Sequence, residues 1–235
     1  MTGSTIITPV TFIVLTVVMY YFTILVFTRG IEATVWDAGR KRRTILWMWI
    51  GIAGWAAVSA FLAIAGVLAD FSTFPPRMML VLFVPLVTLL TLTFLPGTQT
   101  VLRQIPIGWL TRLQFFRVVV ELLLWMLFMQ QLLPVQMTFE GRNFDVLAGL
   151  SAPLAAWWLT KNKTAMVIWN VCALALLINI IVVAILSLPG PMRYFMNEPA
   201  NVIVTTYPYV WLPALLVPLA YGLHFFSLRK LLSHA

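Results

Sequence analysis

The most concentrated chemistry in the chain sits on one helical stripe, where Gln114, Arg117 and Glu121 fall at i, i+3 and i+7. Glu121 is the only acid inside an uninterrupted apolar run. A charge in that setting costs several kcal/mol on membrane-insertion scales, so it calls for a partner or a function. Arg117, four residues earlier, can neutralise Glu121 as a local ion pair. The functional reading is a carboxylate that couples protons or gates a path. Asn170 and Asn179 lie nine residues apart in another apolar run, close to opposite faces of a helix, so at most one points into a given cavity. The alternative for each is a helix–helix hydrogen bond worth on the order of 1 kcal/mol or less. His224 lies one turn from the end of the last run. By residue counting it shares a depth with Glu121, Asn170, Trp49 and Trp169, a level expected to form an inner gate with the two tryptophans as walls.

A second concentration is Met137 to Asp145, MTFEGRNFD, which places Glu140, Arg142, Asn143 and Asp145 between Phe139 and Phe144 beside a glycine. Arg77 near Asp70 and Arg193 near Glu198 add an acid and a base to each neighbouring loop of the same side. Together these residues form an expected outer-loop binding set; the alternative is an ion-paired cap over helix ends. Other chemistries are excluded or unsupported. Cys172 alone rules out an intrachain disulfide, a CxxC pair and a multi-cysteine metal site. His224 and His234 are the only histidines, so no metal or haem is expected, and no cofactor. Ser59, Ser187 and Cys172 have no adjacent base, and Gly-x-Ser-x-Gly, HExxH and phosphate-loop patterns are absent.

The elements that must position these residues follow from composition. Of 235 residues, 62% are hydrophobic and 9% charged, with a mean hydropathy of +0.98. A soluble domain has roughly a quarter of its residues charged, so an integral membrane protein of helical class is predicted, with no room for a separate soluble domain. Apolar runs predict seven spans, at residues 8–27, 45–68, 78–95, 118–133, 144–159, 165–188 and 209–228. The fifth is short and carries Gly149, Ser151 and Pro153.

The formal net charge of +8 acts as an orientation label. Arg29, Arg40, Lys41, Arg42, Arg43, Arg103, Arg112, Arg117, Lys161, Lys163, Arg229 and Lys230 fall on one side of a seven-span scheme, against Arg77, Arg142 and Arg193 on the other. The positive-inside rule then places the N-terminus outside and the C-terminus in the cytoplasm of an inner (plasma) membrane. No cleavable signal peptide is expected, since residues 1–9 have no basic stretch. The cluster at Arg40 to Arg43 predicts anionic lipids as partners at the cytoplasmic face, and nothing points to nucleic acid. In the third loop, Trp109, Leu113 and Phe116 share a face, which predicts an amphipathic helix lying in the headgroups or docking a partner protein.

TFPPRMMLVLFVPL at residues 73–86 aligns without gaps to TYPYVWLPALLVPL at residues 206–219, sharing Pro75/Pro208, Leu82/Leu215 and Pro85/Pro218 among others. The spans before them match loosely through Trp49 and Trp169. A parallel repeat of three spans, joined by a linking fourth, follows from this match. Sugar transporters of the SWEET type share that plan as architecture, though no motif ties the chain to them. A retinal protein is excluded, because the seventh span holds no lysine.

The expected function is therefore a small-molecule transporter or permease with a cavity between two triplets. A non-enzymatic sensor or accessory subunit binding a ligand or partner through its outer loops is the alternative. A membrane-embedded lipid or isoprenoid enzyme comes third, because Glu121 has no visible catalytic companion.

Overall fold

Every apolar run of the sequence becomes helix. The computed structural model describes residues 4–233 and is 75% helical, with no strand among the described residues; His234 lies outside them. The helices are α1 (Ser4–Glu32), α2 (Ala38–Ile64), α3 (Met79–Phe94), α4 (Pro96–Gln104), α5 (Ile107–Leu113), α6 (Phe116–Met129), α7 (Asp145–Trp158), α8 (Lys163–Ile185) and α9 (Val217–Leu232). Capping side chains set two of the starts. Asp37 and Asn162 accept the backbone N–H groups of Arg40 and Ala165 at 2.9 and 3.0 Å, an interaction worth about 1 kcal/mol at each helix start.

Among the described residues, four helical segments are long and apolar enough to cross a membrane: Ile7–Glu32, α2, α8 and Leu212–Leu232. A fifth counts if α3 and α4, bent by 78° at their junction, form one segment. The protein is thus a helical bundle with several helices long and apolar enough to cross a membrane. The expected seven spans are a finer matter, because α6 and α7 have 14 residues each. At 1.5 Å per residue each rises about 21 Å, short of a ~30 Å hydrocarbon core.

α5 does not lie apart as an interfacial helix. Leu110 and Thr111 are buried, and the helix packs on α7 and α9 inside the bundle. Of the face that suggested a headgroup helix, Phe116 is buried and Leu113 half-buried, while Trp109 stays 42% exposed. Between α5 and α6 the chain keeps turning: Gln114, Phe115, Arg117 and Val118 each donate to the carbonyl three residues back. Residues 107–129 therefore behave as one long, tightened helical stretch, with Arg117 and Glu121 near its middle.

The last helix is entered through a π-helical turn, Leu212–Leu216, in which Val217 N–H reaches back to the Leu212 carbonyl. Pro218 has no N–H to return to the carbonyl of Ala214 four residues earlier. The Trp55 indole of α2 supplies a donor to that oxygen at 2.9 Å, and Trp211 answers with a bond to the Ala56 carbonyl at 3.1 Å. Two further carbonyls each accept a tyrosine hydroxyl: Leu215 that of Tyr20 at 2.9 Å and Leu82 that of Tyr221 at 3.4 Å. Trp55→Phe is expected to cost roughly 1–2 kcal/mol by orphaning the Ala214 oxygen. In a Pro218→Ala background, which restores the helical donor, the same change should cost clearly less; thermal melts of the four proteins in detergent measure the difference.

Candidate functional site

The Gln114, Arg117, Glu121 stripe faces inward, as its spacing predicts: the three residues are 1%, 3% and 2% exposed. Their partners, however, come from other helices. Arg117 does not pair with Glu121. Its Nε donates to Asp145 Oδ2 at 2.6 Å, and Nη2 donates to Asp145 Oδ1 and to the Ala173 carbonyl. Nη1 points at His224 Nε2, 3.0 Å away. On its other side His224 Nδ1 meets Asn170 Oδ1 at 2.9 Å, while Asn170 Nδ2 donates to the Met166 carbonyl at 2.8 Å. A guanidinium can only donate, so Nε2 accepts and Nδ1 carries the proton. His224 is therefore a neutral imidazole in this arrangement, assigned from its neighbours.

Glu121 heads a second branch. Its Oε2 accepts a bond from Asn143 Nδ2, which also donates to the Met137 carbonyl at 3.1 Å. Asn143 Oδ1 accepts the backbone N–H of Asp145 at 3.1 Å, joining the two branches. Oε1 of Glu121 has no partner. The Glu121 residue lines a cavity of about 80 Å³ together with Arg117, Asn143, Asp145 and Asn201, whose Oδ1 is likewise buried without a partner. The rest of the lining is aliphatic, including Met78, Leu82 and Leu177. A space of this size takes a few waters or a very small solute. Among the described residues, Glu121 is the one buried carboxyl without a basic group beside it.

Asn143 and Asp145, expected in the outer-loop set, belong instead to this interior, at 2% and 8% exposed. The reason is the path of the chain after α6, which folds back along that helix. Glu140 accepts from the Trp125 indole at 2.7 Å, Asn143 reaches Glu121, and Asp145 reaches Arg117 in the first turn. Two glycines make this path passable. At Gly141 a Cβ would lie 2.6 Å from the Gln136 α-carbon, and at Gly149 it would lie 2.9 Å from the Val118 backbone nitrogen. Gly149→Leu must push α7 off α6 and is expected to cost about 1–3 kcal/mol. Gly54→Leu, where a Cβ meets nothing within 4 Å, should leave the melting temperature in detergent unchanged.

The remaining expected residues separate. Trp169 keeps its place, its ring 5.7 Å from that of His224 and its indole N–H bonded to Ser151 Oγ at 3.1 Å. Trp49 does not: it is 46% exposed on α2, so the repeat-related tryptophans do not form two walls of one gate. Asn179 is exposed and donates to the Arg142 carbonyl at 2.8 Å, the face opposite Asn170. The other outer residues are engaged within their own loops or, for Arg142, with the neighbouring one. Arg77 pairs with Asp70 at 3.1 Å, and the Ser72 hydroxyl and N–H hold the Asp70 carboxyl below its ordinary range. Arg193 binds Glu198 and two loop carbonyls, and the Arg142 guanidinium lies 5.2 Å from the Phe195 ring. Asn201 and Gln136 had only loop polarity to mark them. Asn201 donates to the Ala184 carbonyl and Gln136 to Ser187 Oγ, contacts that no spacing in the sequence encodes.

No curated protein and no solved structure matches the chain. A family match does, over residues 74–232, a stretch that contains every member of the buried network and leaves out α1 and α2. Since that match covers about two thirds of its length, the chain belongs to the family described as Domain of unknown function (DUF8737).

Proposed function

We propose that the protein is a proton-coupled small-molecule transporter of the inner membrane, with seven spans, the N-terminus outside and the C-terminus in the cytoplasm. Residues 107–129 serve as the fourth span and the fold-back plus α7 as the fifth, which offsets the shortness of α6 and α7. The observation that carries the reading is Glu121, a buried carboxyl that has no ion-pair partner, is bonded to the Asn143 amide, and belongs to the lining of a cavity midway along its helical stretch. In low dielectric an uncompensated charge costs several kcal/mol, and a proton removes that cost.

Arg117 has two acids within reach, one across the helices and one on its own. With Glu121 protonated it is held by Asp145, the arrangement in this structure. Loss of the proton makes Glu121 a competitor for the guanidinium at i, i+4. Drawing Arg117 away from Asp145 loosens α6 from α7 and frees His224 Nε2. That gives two packings of one bundle, biased by a single proton. The outer-loop residues that a sensor would use are instead already bonded within the chain, which favours transport over the sensor reading.

Uptake of a panel of small solutes into proteoliposomes, with and without an imposed pH gradient, tests the reading. At least one solute should accumulate only with the gradient, and Glu121→Gln should lose it. Absence of solute-dependent flux in either condition would overturn the proposal.

A further inference from the structure

α2 is the least buried of the long helices, almost its whole length facing outward. Between it and α3 lies a groove of about 610 Å³, floored by α1 and α9. Its walls are apolar, among them Phe27, Trp47, Ile52, Trp55 and Leu92. Sites for small organic ligands span roughly 300–1,000 Å³, so the groove has room for a substantial apolar chain. One end is different in kind. There the groove closes at Trp36, Gly97 and Thr98, and the Arg40 guanidinium stacks on Trp36 at 4.1 Å from the ring centre. Lys41, Arg42 and Arg43 follow in sequence. Asp37, the nearest acid in sequence, accepts from the Arg40 backbone N–H as the cap of α2. α4 starts at the same end with no side-chain cap, so its first-turn amides add partial positive charge where Gly97 and Thr98 line the groove.

An apolar slot whose end residues Trp36 and Gly97 adjoin the Arg40 guanidinium and an uncapped helix start is complementary to one class of bilayer molecule. We infer that the groove between α2 and α3 binds one anionic phospholipid, its acyl chain along the tryptophans and its phosphodiester against Arg40 and the first turn of α4. The site is separate from the Glu121 cavity, and its test involves no transport, so either proposal can fail alone.

The experiment is native mass spectrometry of the delipidated full chain in detergent, titrated with phosphatidylglycerol or with phosphatidylcholine of the same acyl chains. The wild type should retain phosphatidylglycerol at a concentration roughly five- to tenfold lower than phosphatidylcholine. Arg40→Glu should erase that preference. Arg42→Glu makes the same charge change at an exposed residue two positions on, where no contact with Trp36 or Gly97 is seen, and should keep it. Gly51→Phe fills the groove from a position where a Cβ meets nothing within 4 Å, and should remove retention of both lipids. Arg40→Gln covers the case in which the charge reversal disturbs folding, with the same loss expected. Equal retention of the two lipids by the wild type, or equal losses in Arg40→Glu and Arg42→Glu, would reduce the site to general surface attraction and overturn the inference.

Discussion

Replacing Asp145 by Ala is expected to lower the stability of the protein by about 3–5 kcal/mol, the usual result of stranding one member of a buried ion pair. The side chain is the bidentate partner of Arg117, which is 3% exposed and has no other acid bonded to it. In the present packing, removal leaves the guanidinium to His224 and the Ala173 carbonyl, and Glu121 reaches it only by a rearrangement of the helices. Arg117→Met should be comparably damaging, because it strands Asp145. The double change Arg117→Met with Asp145→Leu should recover much of the loss, since a buried pair replaced by apolar groups of similar volume is often close to neutral. Recovery will be incomplete, because the Ala173 carbonyl and His224 Nε2 lose a donor. Unfolding of the four proteins in mixed micelles gives the cycle directly; additive single losses would mean that Arg117 and Asp145 are not each other's partners.

The second large effect is functional. Glu121→Gln preserves the shape of the side chain and the acceptor that faces Asn143, while its other end becomes an amide that carries no charge at any pH. Stability should change by less than about 1 kcal/mol, within the range of a single net hydrogen bond. Gradient-driven uptake should fall to the level of empty liposomes. Infrared difference spectra between acidic and alkaline buffer should show a protonated-carboxyl band in the wild type that is missing in Glu121→Gln. A variant that retains full gradient dependence would remove Glu121 from the coupling step.

The sequence made much of this legible, and the failures have physical causes. The apolar runs at 45–68 and 165–188 located α2 and α8, while the start of α2 seven residues earlier is set by the Asp37 cap, which hydropathy does not report. The i, i+3, i+7 spacing likewise identified the inward stripe of Gln114, Arg117 and Glu121, since helical periodicity is local. Their partners were hidden because they are not local. Arg117 and Asp145 are 28 positions apart, and only the fold-back after α6, permitted by Gly141 and Gly149, brings them together. The outer-loop reading of Asn143 and Asp145 failed for that reason. The amphipathic reading of residues 107–117 marked the Trp109 face but not the opposite packing side, where Leu110 and Thr111 are buried as α5 packs on α7 and α9, because periodicity does not show which neighbours a short helix meets. Trp49 was grouped with Trp169 by depth, and depth does not determine which way a helix face is turned.

The central claim is that a proton on Glu121 decides which acid holds Arg117, and with it how closely α6 packs on α7. Electron–electron distance measurements test this with spin labels at Leu122 and Leu150, both half-exposed residues on those helices. The background is Cys172→Ser, which removes the single native cysteine. As the buffer is taken from mildly acidic to mildly alkaline, the account predicts a second, longer distance gaining population in the wild type, and a single short distance at every pH in Glu121→Gln. One pH-independent distribution shared by both proteins would contradict it.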